Sequence, residues 1–187
     1  MIVDVTRDDF YDLEAIERDV FGKDGFSVYL LEEYYRYHIL YQKLVFDSNL
    51  HQKQSSDSND ASGKIIGFFI TSPLDIDDMP EILQGIVNDH IGGRWGVRNP
   101  VEKYDKVAHL VNFVILRQFW NQGFGTKLIH HIIKESKKMK YKYILLEVND
   151  TNERAINLYK KNKFSVIGTI KSYYESGATC LVMIHDL

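Results

Sequence analysis

Two stretches decide how this chain folds: Arg117-Gln118-Phe119-Trp120-Asn121-Gln122-Gly123-Phe124-Gly125-Thr126 and Leu146-Glu147-Val148-Asn149-Asp150-Thr151-Asn152-Glu153-Arg154-Ala155-Ile156-Asn157-Leu158-Tyr159. Each starts at the end of an apolar, strand-like run and leads into a helical period. Ala108 to Leu116 predicts a strand. The helix after it, 124–139, has a buried stripe of Leu128, Ile129, Ile132 and Ile133. Tyr143 to Val148 predicts a second strand, and Thr151 to Lys161 a helix with Asp150 or Thr151 as N-cap.

Upstream, Ile2 to Val5 alternates like a short strand. Thr6 with Asp9 resembles a capping box, Asp replacing the preferred Glu. Phe10, Leu13, Ile16 and Val20 keep helical spacing until Gly22 and Gly25 break it. A second helix, 28–40, is rich in tyrosine (Tyr29, Tyr34, Tyr35, Tyr37). Leu44 to Phe46 and Ile65 to Thr71 read as strands, and the polar stretch 47–63 between them as a mobile hairpin loop. Residues 74–106 read as an insertion. It is acidic over 75–81, helical over 81–88 and glycine-bearing around Gly92 and Gly93. Loops this long inside compact domains are often functional. Phe164 to Ile170 and Thr179 to Ile184 are the last strands, linked through Tyr173-Tyr174-Glu175-Ser176-Gly177. The main order is β-α-α-β-β-β-α-β-α-β-β, an α/β (α+β) class with a mixed sheet and helices on both faces, read as one domain over 1–187.

Gly123 and Gly125 bracket a helix start, where backbone N–H groups lack intrahelical partners and the helix dipole favours an anion. Such a loop can hold a pyrophosphate, or can simply be a tight strand–helix turn. It lacks the Gly-Lys-Ser/Thr ending of a nucleotide P-loop. A dinucleotide fingerprint needs a third glycine where Leu128 stands. Glu147 interrupts an apolar strand, so it faces solvent or sits partly desolvated, where a carboxylate suits general-base work. Tyr159 can be core or a proton donor. Asn152 can bond a ligand carbonyl or the backbone. Together these features point to acyl transfer from a coenzyme A thioester to an amine.

At 187 residues, 44% hydrophobic and 26% charged, the composition is that of an ordinary globular domain. A net charge of −3 gives no support for a nucleic-acid binder. Lys134, Lys137, Lys138, Lys140 and Lys142 form either a local basic patch or a solvated helix face. Cys180 is the only cysteine, which excludes an internal disulfide and a thiolate metal cluster. No metal is expected. The N-terminal residues lack a signal peptide's basic start and apolar run, and no stretch has the roughly 18 apolar residues of a membrane span. A cytoplasmic location is expected.

With these residues in view, the chain resembles the GCN5-related N-acetyltransferases (GNAT). Within them it is similar to the protein N-terminal acetyltransferases of the RimI type and their archaeal and eukaryotic relatives. The likeness covers most of the chain outside 47–63 and 74–106 and is strongest over 108–187. The family's Arg/Gln-x-x-Gly-x-Gly/Ala loop is matched by Trp120 to Gly125, with Trp120 in place of Arg or Gln. Its Leu-Glu-Val-x-x-x-Asn-x-x-Ala-x-x-Leu-Tyr run is matched by Leu146-Glu147-Val148, Asn152, Ala155 and Leu158-Tyr159. Lys163 replaces a usual glycine.

The resemblance implies a mostly antiparallel sheet of about seven strands with about four helices, and acetyl-CoA as co-substrate. It implies Glu147 as base, Tyr159 as acid and His109 as a further catalytic residue. Coenzyme contacts would come from Val114, Leu116, Gln122, Gly123, Phe124, Gly125, Thr126, Asn152 and Tyr159. A substrate N-terminus would meet Phe26, Val28, Tyr29, Tyr173 and Tyr174. Val28 stands where some relatives carry a catalytic glutamate. An auxiliary subunit or ribosome association fits the resemblance; membrane and nucleic-acid roles do not. Two other readings stay open: a GNAT enzyme acting on lysine or a small amine, and a non-catalytic acyl-CoA-binding module.

Overall fold

The computed structural model describes residues 1–46, 63–74, 79–93, 106–174 and 176–187. Among them are the strands β1 (Ile2–Asp4), β2 (Leu40–Phe46), β3 (Lys64–Leu74), β4 (Val107–Ile115), β5 (Tyr143–Asn149), β6 (Ser165–Ile170) and β7 (Cys180–Asp186). The α-helices are α1 (Phe10–Phe21), α2 (Val28–Tyr37), α3 (Glu81–Gly93), α4 (Phe124–Lys138) and α5 (Glu153–Lys161). The strands pair in the order β1-β2-β3-β4-β5-β7-β6. β1–β2, β5–β7 and β6–β7 are antiparallel, and β4–β5 is parallel. This is the expected mixed, mostly antiparallel sheet. Of the two irregular stretches, 47–62, 75–78 and 94–105 lie outside the described residues, including most of the expected hairpin loop and of the acidic segment.

Among the boundaries that differ from the sequence expectation, three have a physical reason in the structure. α2 ends at Tyr37, not at 40, because His38 turns extended (ψ 154°) and Leu40 enters β2. Pairing with β1 draws these residues into the sheet: Asp4 sits opposite Gln42, and Val5 N–H donates to Tyr41 O at 2.9 Å. α5 is capped by Asn152, whose side-chain oxygen accepts from Ala155 N–H at 3.2 Å, rather than by Asp150 or Thr151. The third is α3, which runs 13 residues to Gly93 rather than ending at 88, and is a fifth helix beside the four of the main order.

The chain divides into two compact units, Met1–Ile70 with Asn112–Gly125, and Thr71–Val111 with Thr126–Leu187. In the first unit Leu13, Leu31, Leu44, Ile66, Phe68 and Ile70 are fully buried. Tyr41 sits among the rings of Phe10, Tyr35, His38 and Phe68, at centroid distances of 5.9 to 6.4 Å. In the second unit Leu128, Ile129 and Ile132 of α4 are buried. Met79 with Leu83 and Val87 of α3 form one core cluster with Val107, Leu145, Cys180, Val182 and Ile184. The insertion therefore contributes core. Its burial of apolar side chains explains why a helix forms there despite the glycines nearby.

One buried group breaks the apolar pattern. Glu17 lies on the inward stripe of α1 with Leu13 and Ile16 and is 1% exposed. Burial pushes its carboxyl up to about 7, against hydrogen bonds from Phe26 and Asn112 that pull it down. The folded protein thus keeps this proton to about pH 7, whereas the unfolded chain releases it near the ordinary value of 4.5. Between those values the unfolded state binds fewer protons, so the group lowers stability as pH rises, and the loss is complete above about pH 7. Calorimetry of wild type against Glu17→Gln should show the wild type losing several degrees of Tm relative to the variant between pH 4.5 and 7.5. Parallel pH profiles would contradict this.

Candidate active site

In the first unit the turn from α1 to α2 is held by α1 itself. Phe26 N–H donates to Glu17 Oε2 at 2.9 Å, and Val28 N–H to Glu14 Oε1 at 3.1 Å. Asn112 Nδ2 donates to Glu17 Oε1 at 3.0 Å. Ser27 caps α2 by accepting from Leu30 N–H. Of the expected substrate residues, Phe26 stacks on Tyr34 at 5.7 Å and Val28 is half-buried. Tyr29 is 86% exposed and forms no pocket wall within this unit.

The glycine loop follows β4. Asn121 (φ 60°) and Gly123 (φ 83°) are both left-handed, and α4 opens at Phe124. Turns of this kind, followed by a helix start, leave N–H groups lining a concavity. A Cβ at Gly123 would meet nothing within 4 Å, so the loop is open there. Phe119 and Phe124 flank it, 6.0 Å apart, and both pack on Phe46. Trp120 has a structural role: its indole N–H donates to Ile115 O at 2.6 Å, and Arg117 lies over its ring. Arg117 also donates to the carbonyls of Asp19 and Val20 near the end of α1. Gln122 donates to Gln118 O. Leu116 N–H donates to Ile66 O at 2.9 Å, so that donor serves the sheet and is not available to a ligand.

In the second unit the parallel register of β4 and β5 runs from Val107–Tyr143 to His109–Leu145, and each strand continues beyond it. Side chains alternate along a strand, so Leu145 and Glu147 share a face, as do Val107 and His109. Val182 pairs with Glu147, and Ile184 with Leu145. The face that is apolar at Val107, Leu145 and Ile184 turns polar one step on. There His109 Nε2 meets Glu147 Oε2 at 2.5 Å, with side chains 21% and 11% exposed. Glu147 is thus partly desolvated rather than solvent-facing. An ionised carboxylate only accepts, so with Glu147 ionised the proton is on Nε2, and Nδ1 of neutral His109 is an acceptor.

Tyr174 packs at the edge of this core, its ring 5.1 Å from that of Tyr173. Burial raises its hydroxyl above the ordinary tyrosine range, and the neighbouring Cys180, Tyr173, Glu147 and Tyr159 add to the shift. Tyr173 and Tyr174 N–H groups both point to Ala178 O, which fixes the turn before β7. Tyr173 is 51% exposed. Cys180 is fully buried, and burial, with the charge of Glu147, pushes its thiol up to about 11. It is a poor nucleophile.

Tyr159 is buried, and burial raises its hydroxyl well above the ordinary range. The end of α5 sets its position. Phe164 N–H donates to Tyr159 O and Lys163 N–H to Lys160 O, both at 3.0 Å, and the rings of Tyr159 and Phe164 lie 5.5 Å apart. These are the bonds and the apolar contact of a Schellman ending, with Lys163 (φ 67°) in the left-handed position.

Sequence reasoning missed Glu17, Asn112 and the backbone role of Lys163. Glu17 had a legible signal, a carboxylate on the apolar stripe of α1. The structure gathers Glu147, His109, Tyr174, Cys180 and Tyr159 in the second unit. Phe26, Val28, Val114, Leu116 and the loop to Gly125 belong to the first unit, and Thr126 and Asn152 to the second.

The model of the acetyltransferase (GNAT) family matches residues 26–164, and the chain belongs to that family. An N-alpha-acetyltransferase of Sulfurisphaera tokodaii is 33% identical over 96 residues, which are 50% of this chain and 58% of that protein. A second, from Sulfolobus acidocaldarius, is 32% identical over 56% of this chain and 66% of its own length. The chain thus spans less than two thirds of the curated relatives it matches. Among solved structures, Ard1 from Thermoplasma volcanium aligns with a TM-score of 0.72 at 15% identity, over 100% of this chain and 97% of that one. At that identity the likeness concerns the fold alone. No helix among the described residues is long and apolar enough to cross a membrane.

Lys163 occupies a backbone conformation that costs a side-chain-bearing residue about 1–2 kcal/mol. Lys163→Gly should therefore raise unfolding stability by about 1 kcal/mol in urea titrations, the strain relief exceeding glycine's added chain entropy. A destabilised variant would mean that the lysine side chain makes a compensating contact.

Proposed function

We propose that this chain is an N-α-acetyltransferase, moving the acetyl group of acetyl-CoA to the α-amine of a protein or peptide by direct attack in a ternary complex. The observation that carries this reading is the 2.5 Å contact of His109 with Glu147, where an apolar sheet face turns polar, in a chain of the GNAT family. We take 1–187 as one catalytic domain, cytoplasmic, with any auxiliary subunit or ribosome contact resting on the family resemblance.

Acetyl-CoA supplies an acyl group activated as a thioester. The left-handed turns at Asn121 and Gly123 and the start of α4 suit its pyrophosphate, with Gln122, Gly123, Phe124, Gly125 and Thr126 as contacts. Val114, Leu116, Asn152 and Tyr159 complete the proposed set, Leu116 without its N–H. Strand N–H groups alternate in direction. Leu116 N–H points to β3, while Ile115 O is turned to the Trp120 indole, so Ile115 rather than Leu116 is the better donor to the thioester carbonyl.

In the reaction a C–N bond forms and the C–S bond breaks. The His109–Glu147 pair takes the proton given up by the amine. The Tyr159 hydroxyl gives one to the departing sulfur and regains it from solvent. Burial keeps Tyr159 protonated. At pH 7 roughly one α-amine in ten is neutral, against about one lysine in 2,500. A modest base therefore suffices for an N-terminus. Phe26 and Val28 would receive the first side chain, with Tyr29 touching it only from outside, and Tyr173 and Tyr174 would hold the peptide backbone. An apolar Val28 favours methionine or another uncharged first residue over an acidic one, because an unpaired buried carboxylate is costly.

Mass spectrometry of a peptide library after incubation with acetyl-CoA tests the reading. Acetylation at free N-termini supports it, and faster turnover of an N-blocked peptide with a free lysine moves the assignment to a side-chain enzyme. Glu147→Gln should lower kcat by about 10²-fold or more. Tyr159→Phe should lower kcat more than it raises KM. If His109→Ala loses less than about threefold, Glu147 acts alone. Gly125→Val, in the first turn of α4, should weaken acetyl-CoA binding at least about tenfold by calorimetry, since a branched side chain would take up phosphate space. Unchanged affinity would remove the loop from the coenzyme site.

A further inference from the structure

We propose that Glu17 is a positioning residue for the peptide side of the site: from inside α1 it holds the Gly25–Val28 turn, and so Phe26 and Val28, in the geometry that receives the first residue of the substrate. This rests on the pocket assignment above. Nothing in the family motifs pointed to Glu17.

A carboxylate buried to 1% exposure is costly unless its oxygens find donors. Both do: Oε2 accepts from the backbone of Phe26 and Oε1 from Asn112 of β4. A leucine at this point of the Leu13–Ile16 stripe would fill the core more cheaply, so packing alone does not account for a carboxyl group here. The directed contact does. It ties a backbone N–H of the turn to a helix and, through Asn112, to a strand. Two further contacts act on the same turn. Glu14, three residues earlier on α1, accepts from Val28 N–H. Gly25 presses on the helix so closely that a Cβ there would stand 2.8 Å from Glu17 O. Titratable groups near Glu17 among the described residues include Glu14 and Tyr41, whose hydroxyl is buried without a partner among those residues and is raised by burial and by Glu17 and Asp9.

Asn112 Oδ1 is also buried without a partner among the described residues. This gives the test a conservative variant. In Glu17→Gln the new Oε1 can still accept from Phe26, and Nε2 can donate to Asn112 Oδ1 once that amide turns over. Glu17→Met keeps the volume and removes both acceptors. The experiment combines amide hydrogen exchange at Phe26 with steady-state kinetics for an N-terminal peptide and for acetyl-CoA.

Glu17→Met should speed exchange at Phe26 about tenfold or more. It should raise peptide KM about tenfold, with kcat and acetyl-CoA KM changing less than about threefold. Gly25→Ala, which pushes the turn off α1, should move the same two readouts. Glu17→Gln should bring peptide KM back to within about threefold of wild type. Unaltered exchange and peptide KM in Glu17→Met would overturn the proposal. So would an equal loss in every parameter in Glu17→Met that Glu17→Gln does not restore, which is what a merely structural role predicts. If wild type acetylates no peptide, the proposed function fails, and exchange alone decides whether Glu17 holds the turn: lost protection at Phe26 in Glu17→Met supports it, and retained protection overturns it.

Discussion

A carboxylate cannot stay in an apolar core without hydrogen-bond donors, and Glu17 obtains them from two segments far from it in sequence. That requirement organises the first unit. α1 is apolar at Leu13 and Ile16 and charged at Glu14 and Glu17, so one helix face makes core and also grips the turn into α2. Near its other end the carbonyls of Asp19 and Val20 accept from Arg117, which leads into the glycine loop. Two segments of the proposed site, the turn carrying Phe26 and Val28 and the loop carrying Gly123, are thus referenced to the same helix. Neither is a strand, so neither has a ladder to fix it; side-chain-to-backbone bonds do that work.

The second unit solves a different problem. Its sheet face is packed by α3 from one side chain row to the next, then gives way to His109 and Glu147. Two polar groups at the margin of a packed face are sheltered enough to interact strongly and open enough to exchange protons. Tyr159 is held in place by the end of its own helix, through the bonds of Phe164 and Lys163 and the ring contact with Phe164. The left-handed Lys163 shows that the geometry of that ending is kept even where the residue is unfavourable for it, so the position of Tyr159 depends on backbone shape and not on the identity of the residue that makes it.

Much was legible in the one-dimensional pattern because it follows from local chemistry. Apolar alternation marks β4 and β5. A 3.6-residue stripe marks α1 and α4, and glycines mark the turns between elements. Those signals were enough for the strand order along the chain, for Glu147 as an interruption of an apolar strand, and for the loop at Gly123. They were least reliable at 38–40, where the expected helix gives way before Leu40 enters β2 beside β1, and at 81–93, where a helix is stabilised by distant core residues.

The sequence by itself determined the class of fold, the two strand–turn–helix units and the chemical types offered to a ligand, since each depends on residues within a turn or two of one another. Only the tertiary structure decided that His109 and Glu147 are partners, that Leu116 N–H is taken by β3, that Trp120 braces its own strand end, and that Glu17 faces Phe26 and Asn112. Each of those pairs, or the direction of each bond, depends on which strands and helices lie side by side. That is set by the burial of the whole apolar surface, and no short window of residues contains it.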